Sequence, residues 1–426
     1  MSLHSYVQHA RCVSCGRNYD LDEVHYTCPE CGSLRGTLDL VYSYGRLGEA
    51  LTPTALGERP AQTLERYHEI LPIRSAEALS SVSIDPSPLR ILPHGRLDDT
   101  PVHTWLKNDT LLPSGSTKDR ATALALARAQ ELGVAAMAAA STGNAASSLA
   151  AACAAAGMSC TIFAPADAPA AKLLQIRIHG ALLLAVNGTY EEAFDLCAEF
   201  CLRSNAYNRS TAINPFLGEG KKTLALEIWE QLGHRAPDAV VVAVGDGCIL
   251  GGIAKGFQDL RALGWMERLP RLFGVQAAGC APLAEAWESR SQNCPTPRGE
   301  TIADSICVRH PRDQVKALRS VAGTDGRFVT VSEDQILAAM SALARRTGIF
   351  AEPAAASALA GLQVAVQEGW IDRHEEVVVI VTGHGLKDIS AAQKAVLGNP
   401  PVSVAPTVAS VEEALTARIK RDKDRA

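Results

Sequence analysis

The sequence predicts an α/β protein: two domains built on parallel sheets, preceded by a small metal-binding ribbon. Three observations predict this. Short apolar runs such as Ala239 to Val244 and Val377 to Thr382 alternate with helical stretches from residue 100 onward. Strands buried on both faces and joined by crossover helices read in this way. A chain of 426 residues has room for two or three domains. Finally, four of the twelve cysteines fall in closely spaced pairs before residue 32.

The elements follow in order. Cys12-x2-Cys15-x12-Cys28-x2-Cys31 forms two knuckles, each followed by a glycine, Gly16 or Gly32. Two such knuckles make a tetrahedral sulfur site suited to zinc, and four thiolates leave no open position for catalysis. Residues 8–36 therefore read as a structural zinc ribbon, held together by its metal rather than by a core, within a first domain of residues 1–36. A nucleic-acid-binding ribbon is the alternative, but Asp20, Asp22, Glu23 and Glu30 lie in its loop and argue against phosphate contacts.

Residues 37–100 are polar and proline-punctuated, and read as a linker followed by short elements. Ala121 to Leu132 is predicted as a helix closed by Gly133, and Val134 to Ala140 as a strand. Asn144 to Ala156 is a helix stopped by Gly157, with Ser159 to Ala164 the next strand. The pattern continues with Ala181 to Val186 (strand), Glu191 to Arg203 (helix), Ala239 to Val244 (strand) and Ile253 to Leu263 (helix). Leu272 to Gln276 and Val377 to Thr382 complete the strands. The division expected is a larger domain from residues 37–110 and 211–398, a smaller one from 111–210, and a tail from 399–426 carrying one helix over Val411 to Ile419.

Composition excludes several classes. A net charge of −5 with 20% charged residues gives no electrostatic reason to expect nucleic acid. Met1 to Ala10 has no apolar core of a signal peptide, and the Ala-rich stretch Gly133 to Gly157 is too weakly apolar and too interrupted to cross a membrane. Scattered cysteines without a disulfide pattern fit the cytoplasm. Cys197 and Cys201, four apart on a helix, read as core rather than as metal ligands.

Four motifs carry chemistry. Lys118 sits in Leu112-Pro-Ser-Gly-Ser-Thr-Lys-Asp-Arg120, at a loop-to-helix junction where its amine can project into a cleft. Ser141-Thr142-Gly143-Asn144 lies between a strand and a helix, where unpaired N–H groups attract anions. A simple helix cap would also account for those residues. Gly245-Asp246-Gly247-Cys248-Ile249-Leu250-Gly251-Gly252 follows a buried strand, and glycines there let backbone amides close on a phosphate. A dinucleotide site is the rival, but it needs an acid near the end of the next strand, and Leu272 to Gln276 has none. Thr382-Gly383-His384-Gly385 ends the last strand. An amine, an amide, a phosphate cradle and a hydroxyl are together what holds pyridoxal 5'-phosphate (PLP), whose aldehyde forms a Schiff base with a lysine.

The order and spacing of these motifs resemble the fold-type II PLP enzymes, with their tryptophan synthase β-like architecture, and among them the threonine synthases. The family's Pro-Thr-Gly-Ser-Phe-Lys-Asp-Arg-Gly is similar to the segment around Lys118, departing at Thr117 and Ala121. Asn214-Pro215, Glu219-Gly220, Lys222-Thr223, Gly348-Ile349-Phe350, Glu352-Pro353 and Gly383-His384-Gly385-Leu386-Lys387-Asp388 match further motifs, and many threonine synthases carry a similar four-cysteine ribbon. The resemblance implies that Lys118 anchors the cofactor and shuttles protons, and that Asn144 bonds its phenolic oxygen. It implies that Gly245, Asp246, Gly247, Cys248 and Ile249 cradle its phosphate. Ser141, Thr142 and Gly143 would bind the substrate, and Thr382 would meet the pyridine nitrogen. A neutral hydroxyl there suits β/γ elimination or replacement. The resemblance also implies a cytoplasmic, homodimeric lyase of amino-acid biosynthesis.

The chain departs from the family at its phosphate site. Leu217 stands where an arginine is common, Ala145 where threonine is common, and Asp246 where asparagine is common; Ala212 replaces a polar residue. Losing one charge-assisted contact costs on the order of 1.5–3 kcal/mol. Threonine synthase-like chemistry on O-phosphohomoserine is the first expectation, with Lys221 or Arg209 as the residues able to compensate for Leu217. The alternative, to which these departures point, is a threonine/serine dehydratase, a diaminopropionate ammonia-lyase or a cysteate synthase-like enzyme with an altered, non-phosphorylated substrate.

Overall fold

The structure, a computed structural model, describes residues 6–21, 26–60, 63–81, 84–168, 170–297, 299–398 and 400–423. Asp22, Glu23, Asn399 and both ends of the chain lie outside the described residues.

The ribbon is a three-stranded antiparallel sheet with Val7–Cys12 between Asn18–Tyr19 and Leu38–Tyr42. Its last strand therefore runs past residue 36. Leu38, Leu40 and Tyr42 alternate inward, as a half-buried strand requires, and enter the main core. The Tyr42 hydroxyl donates to Glu219 at 2.7 Å, and Lys316 pairs with Asp39, so the ribbon is docked on the body. Cys12, Cys15, Cys28 and Cys31 gather their sulfurs within 4.8 Å of one another, a group able to hold a metal ion.

The linker expected at the start of residues 37–100 is not one. Helices Tyr44–Ala50 and Pro53–Gly57 and the 3-10 turn Leu64–Ile70 bury Leu47, Leu56, Leu64, Tyr67 and Ile70 in the same core as Trp229. Elements this short show no periodicity, so their apolar residues are not legible as a core face.

The main sheet has six strands in the order Arg327–Val331, Arg271–Ala277, Ala239–Ala243, Glu376–Val381, His103–Asn108, Leu89–Ile91. All pairs are parallel except the last. Ala239–Ala243 is buried throughout, as a central strand covered on both faces must be. One face is covered by Pro353–Gln367, whose Gly361 admits Val275 so closely that any Cβ would meet it at 2.3 Å. The second sheet is parallel, in the order Leu182–Val186, Ser159–Pro165, Ala136–Ala140, Tyr207–Asn208. Its helices Asn144–Ala156 and Tyr190–Ser204 lie in the sequence order expected. Cys197 and Cys201 are buried beside Phe163 and Ile213, in a core role.

Two helices begin earlier than their apolar pattern suggests. Lys118–Glu131 starts at Lys118 rather than at Ala121, and Cys248–Ala262 starts at Cys248 rather than at Ile253. Helices Gln314–Ala322, Glu333–Thr347 and Pro353–Gln367 and strand Arg327–Val331 are additions to the sequence reading. The tail helix is longer than expected, Val408–Lys423. No described helix is long and apolar enough to cross a membrane.

Candidate active site

A cavity of about 580 Å³ opens where the carboxyl ends of strands from both sheets face each other. Parallel strands deliver their connecting loops to one edge, so residues far apart in sequence converge there. Lys118, Ser141, Thr142, Gly143 and Asn144 line it, and so do Gly245, Asp246, Gly247, Cys248, Ile249 and Thr382.

Three helices start on this cavity: Lys118–Glu131, Asn144–Ala156 and Cys248–Ala262. Their N-cap residues are Thr117, Gly143 and Gly247, and none makes a side-chain cap hydrogen bond. First-turn amides thus lack side-chain acceptors, and the helix dipoles add positive potential. Neither Ser141 nor Asn144 plays the simple capping role open to it. Ser141 Oγ accepts from the Gly143 amide at 3.2 Å, and Asn144 is itself the first helical residue.

Lys118 is held from below. The Thr117 amide donates to the Thr382 carbonyl at 2.9 Å, and Ser116 bridges to Gly383. Asp119 accepts from the Ser114 amide at 2.7 Å, closing the loop that precedes the lysine. Burial, then the neighbouring Lys221 and Arg209, push the Lys118 ammonium down to about 8. A buried amine among cations loses its proton readily, which is what a lysine nucleophile needs.

Asn144 Nδ2 donates to both oxygens of Glu352, at 2.9 and 3.1 Å. Glu352 is the N-cap of Pro353–Gln367, a fourth helix that starts at the cavity. Asp246 accepts from the Arg312 amide at 3.2 Å through its carboxylate. The Arg312 guanidinium lies 3.9 Å from the centre of the Phe194 ring, tying the two halves of the molecule across the cleft. Ala145 lines the cavity, whereas Leu217 is buried among Ala121, Leu126 and Tyr207 and does not reach it.

The glycine loop fits a phosphate. Gly247 has φ +95, and a Cβ there would lie 2.7 Å from Ala317 Cβ, so only glycine lets the backbone make this turn at the start of the helix. Gly245 is similarly close-packed: a Cβ there would lie 3.0 Å from Val308. Cys248 is a small buried side chain in this loop, its thiol pushed up by burial.

Sequence reasoning missed part of the wall. Glu352 is visible in the sequence only as part of a matching motif, with no role. The segment Asp304 to His310 and Tyr190 line the cavity without any residue pattern that announces it. Their position depends on how distant segments pack.

Comparisons with known proteins agree with this geometry. Residues 81–383 match the family described as pyridoxal-phosphate dependent enzyme. The chain is 38% identical over 387 residues to the threonine synthase of Methanocaldococcus jannaschii, covering 90% of this chain and 94% of that protein. It is 34% identical to the threonine synthase of Methanosarcina acetivorans over 384 residues, 89% of this chain and 92% of that one. With the Mycobacterium tuberculosis threonine synthase it shares 38% over 309 residues, 72% and 83% of the two chains. Among solved structures, the processed form of threonine deaminase isoform 2 from Solanum lycopersicum superposes with a TM-score of 0.64 at 22% identity, over 76% of this chain and 90% of that one. Maize serine racemase gives 0.62 at 18% identity, over 80% and 98%. These two likenesses speak to the fold. The matched family and the extent of the curated likenesses make the chain a PLP-dependent enzyme of fold-type II, and it belongs to the threonine synthase family.

Proposed function

We propose that the chain is a threonine synthase, a lyase that converts O-phosphohomoserine and water into threonine and phosphate. The observation that carries this is the meeting of three uncapped helix N-termini with Lys118 and Lys221 in one cavity: it suits a site for more than one anionic group. PLP, when bound, supplies the electron withdrawal that acidifies substrate C–H bonds.

The protein's own groups do the rest. Lys118 holds the cofactor and, once freed, takes and returns protons at the substrate's α- and β-carbons. Its low proton affinity supports that exchange near neutral pH. Gly245, Asp246, Gly247, Cys248 and Ile249 would hold the cofactor phosphate, with their backbone amides as the donors. Thr382 would hold the ring nitrogen of the cofactor, and Asn144, whose amide here donates to Glu352, would turn that amide to the ring oxygen. Ser141, Thr142 and Gly143 receive the substrate carboxylate at the start of Asn144–Ala156.

For the ribbon we propose structural zinc. Zn–S bonds of about 2.3 Å in a tetrahedron put sulfurs about 3.8 Å apart, and Cys15 and Cys28 sulfurs are 3.8 Å apart. The eight cysteines outside the ribbon are free thiols, which supports a reducing, cytoplasmic setting. A homodimer is the assembly we propose, supported by exposed apolar residues such as Leu386, Ile389 and Leu397 near the C-terminal end. The domain division proposed is 1–36, 37–110 with 211–398, 111–210 and a tail from 399, the strand Leu38–Tyr42 joining the ribbon to the body.

The test is an assay of O-phosphohomoserine with the purified, PLP-loaded protein. Threonine and inorganic phosphate are expected to appear in equal amounts. An intact cofactor absorbance without phosphate release would overturn the substrate and redirect the search to non-phosphorylated hydroxy- and diamino acids.

A further inference from the structure

Two buried cations beside Lys118, Lys221 and Arg209, have no counter-ion in contact among the described residues. Lys221 lines the cavity with 2% of its surface exposed, and no hydrogen bond or ion pair reaches its ammonium among the described residues. Its neighbour Lys222, by contrast, is fully paired with Glu219 and Asp259. The carboxylates that attract Lys221, Asp313 and Asp246, stand beyond contact distance, and that of Asp246 is engaged by the Arg312 amide.

Arg209 lies one layer behind and is fully buried. Its Nε donates to Thr122 at 3.0 Å and its Nη2 to the Lys118 carbonyl at 3.3 Å, while Nη1 has no partner among the described residues. Burial lowers the proton affinity of both groups, that of Arg209 to about 10. An unpaired buried charge is costly unless an anion arrives to compensate it.

The position of Lys221 says which kind of anion. It ends helix Pro215–Lys221, and its Cβ sits 2.6 Å from where a Cβ would stand on Gly252, in the second turn of Cys248–Ala262. Glycine at 252 is what allows this approach. Lys221 and the first residues of that helix, Cys248 to Leu250, line the same cavity, and the helix has no side-chain cap. A compact ammonium next to a cluster of backbone donors matches a phosphate monoester.

We infer that Lys221, backed by Arg209, is the counter-charge for a phosphate monoester dianion bound in this cavity against the start of Cys248–Ala262. Two sources share that chemistry, the phosphate of the cofactor and the phosphate of the substrate. The substrate source rests on the threonine synthase reading; the cofactor source does not.

The experiment compares wild type with Lys221→Gln, Lys221→Arg and Arg209→Lys, after circular dichroism has shown each to be folded. Inorganic phosphate is titrated into the cofactor-free protein and its rise in unfolding temperature recorded. Cofactor dissociation and the KM for O-phosphohomoserine are then measured on the same variants. Lys221→Gln is expected to abolish the phosphate-induced rise and Lys221→Arg to retain it. Loss of one charge-assisted contact corresponds to at least about a tenfold weakening. If the cofactor dissociation constant takes that change, the anion is the cofactor's; if KM takes it with the cofactor retained, the anion is the substrate's. Should the wild type release no phosphate from O-phosphohomoserine, the proposed function fails, and the phosphate and cofactor titrations still decide this inference. Should Lys221→Gln not fold, Arg209→Lys supplies the comparison, with a phosphate response weakened by about threefold or more. An unchanged response to phosphate, cofactor and substrate in the folded variants overturns it.

Discussion

Asn144 and Glu352 join two helix N-termini across the cavity, the amide of one donating to both carboxylate oxygens of the other at 2.9 and 3.1 Å. The pair comes from residues 208 positions apart. It fixes which way the Asn144 amide faces, because a carboxylate accepts only and leaves the carbonyl oxygen of Asn144 to turn elsewhere.

Glu352→Gln tests that orientation. Glutamine keeps the shape but offers one acceptor and two competing donors, so Asn144 loses its fixed setting. A loss of about 1.5–3 kcal/mol in transition-state stabilisation is expected, roughly a ten- to hundredfold fall in kcat/KM. Steady-state kinetics with a circular dichroism spectrum check it. An unchanged kcat/KM in a folded variant would show that the pair does not orient Asn144 for the reaction.

Lys118 makes a pH prediction. Burial and the nearby Lys221 and Arg209 lower its ammonium to about 8. The neutral amine attacks an aldehyde, so the rate at which cofactor-free protein takes up PLP covalently should rise with pH and level off above about 8. An ordinary lysine would keep rising toward about 10.4. Stopped-flow absorbance from about pH 6 to about pH 10 distinguishes the two. Lys118→Ala is expected to lose both covalent uptake and turnover.

Gly247→Ala tests the loop. The position has φ +95, and the added methyl would lie 2.7 Å from Ala317 Cβ. A left-handed non-glycine residue costs on the order of 1–3 kcal/mol before any clash is counted. The variant is expected to unfold at lower denaturant and to hold PLP at least about tenfold more weakly. Equal cofactor affinity in the variant would rule out a phosphate contact at this loop.

The ribbon should contain one zinc per chain. Cys28 is fully buried and the ribbon's last strand sits in the main core, so losing the metal exposes more than the ribbon itself. Chelation or Cys28→Ser is expected to lower the unfolding midpoint by at least about 5 °C. Elemental analysis beside a thermal melt measures both. A metal-free protein with an unshifted melt would reduce the four cysteines to packing.

Much of the site was legible because its motifs are local. Lys118, Asn144, Gly247 and Thr382 each lie where an apolar strand or turn meets a glycine or a small polar residue, and short-range chemistry limits what such junctions can do. Leu217 shows the limit of that reading. It packs in the core with Leu126 and Tyr207 and offers no anion contact, as its identity suggests, while Lys221, one helical turn later, lines the cavity. Facing depends on the helix's rotation against its neighbours, which no single residue reveals.

The sequence by itself determined the α/β class, most strands, the paired cysteines and the family resemblance, because these follow from apolar patterning and from motifs a few residues long. Only the tertiary structure decided that the segment after the ribbon belongs to the core, that Glu352 orients Asn144, and that Lys221 and Arg209 stand without a contacting counter-ion beside Lys118. The physical reason is range. Secondary structure answers to neighbours within a few positions, whereas burial and charge pairing depend on segments far apart in the chain being packed against one another.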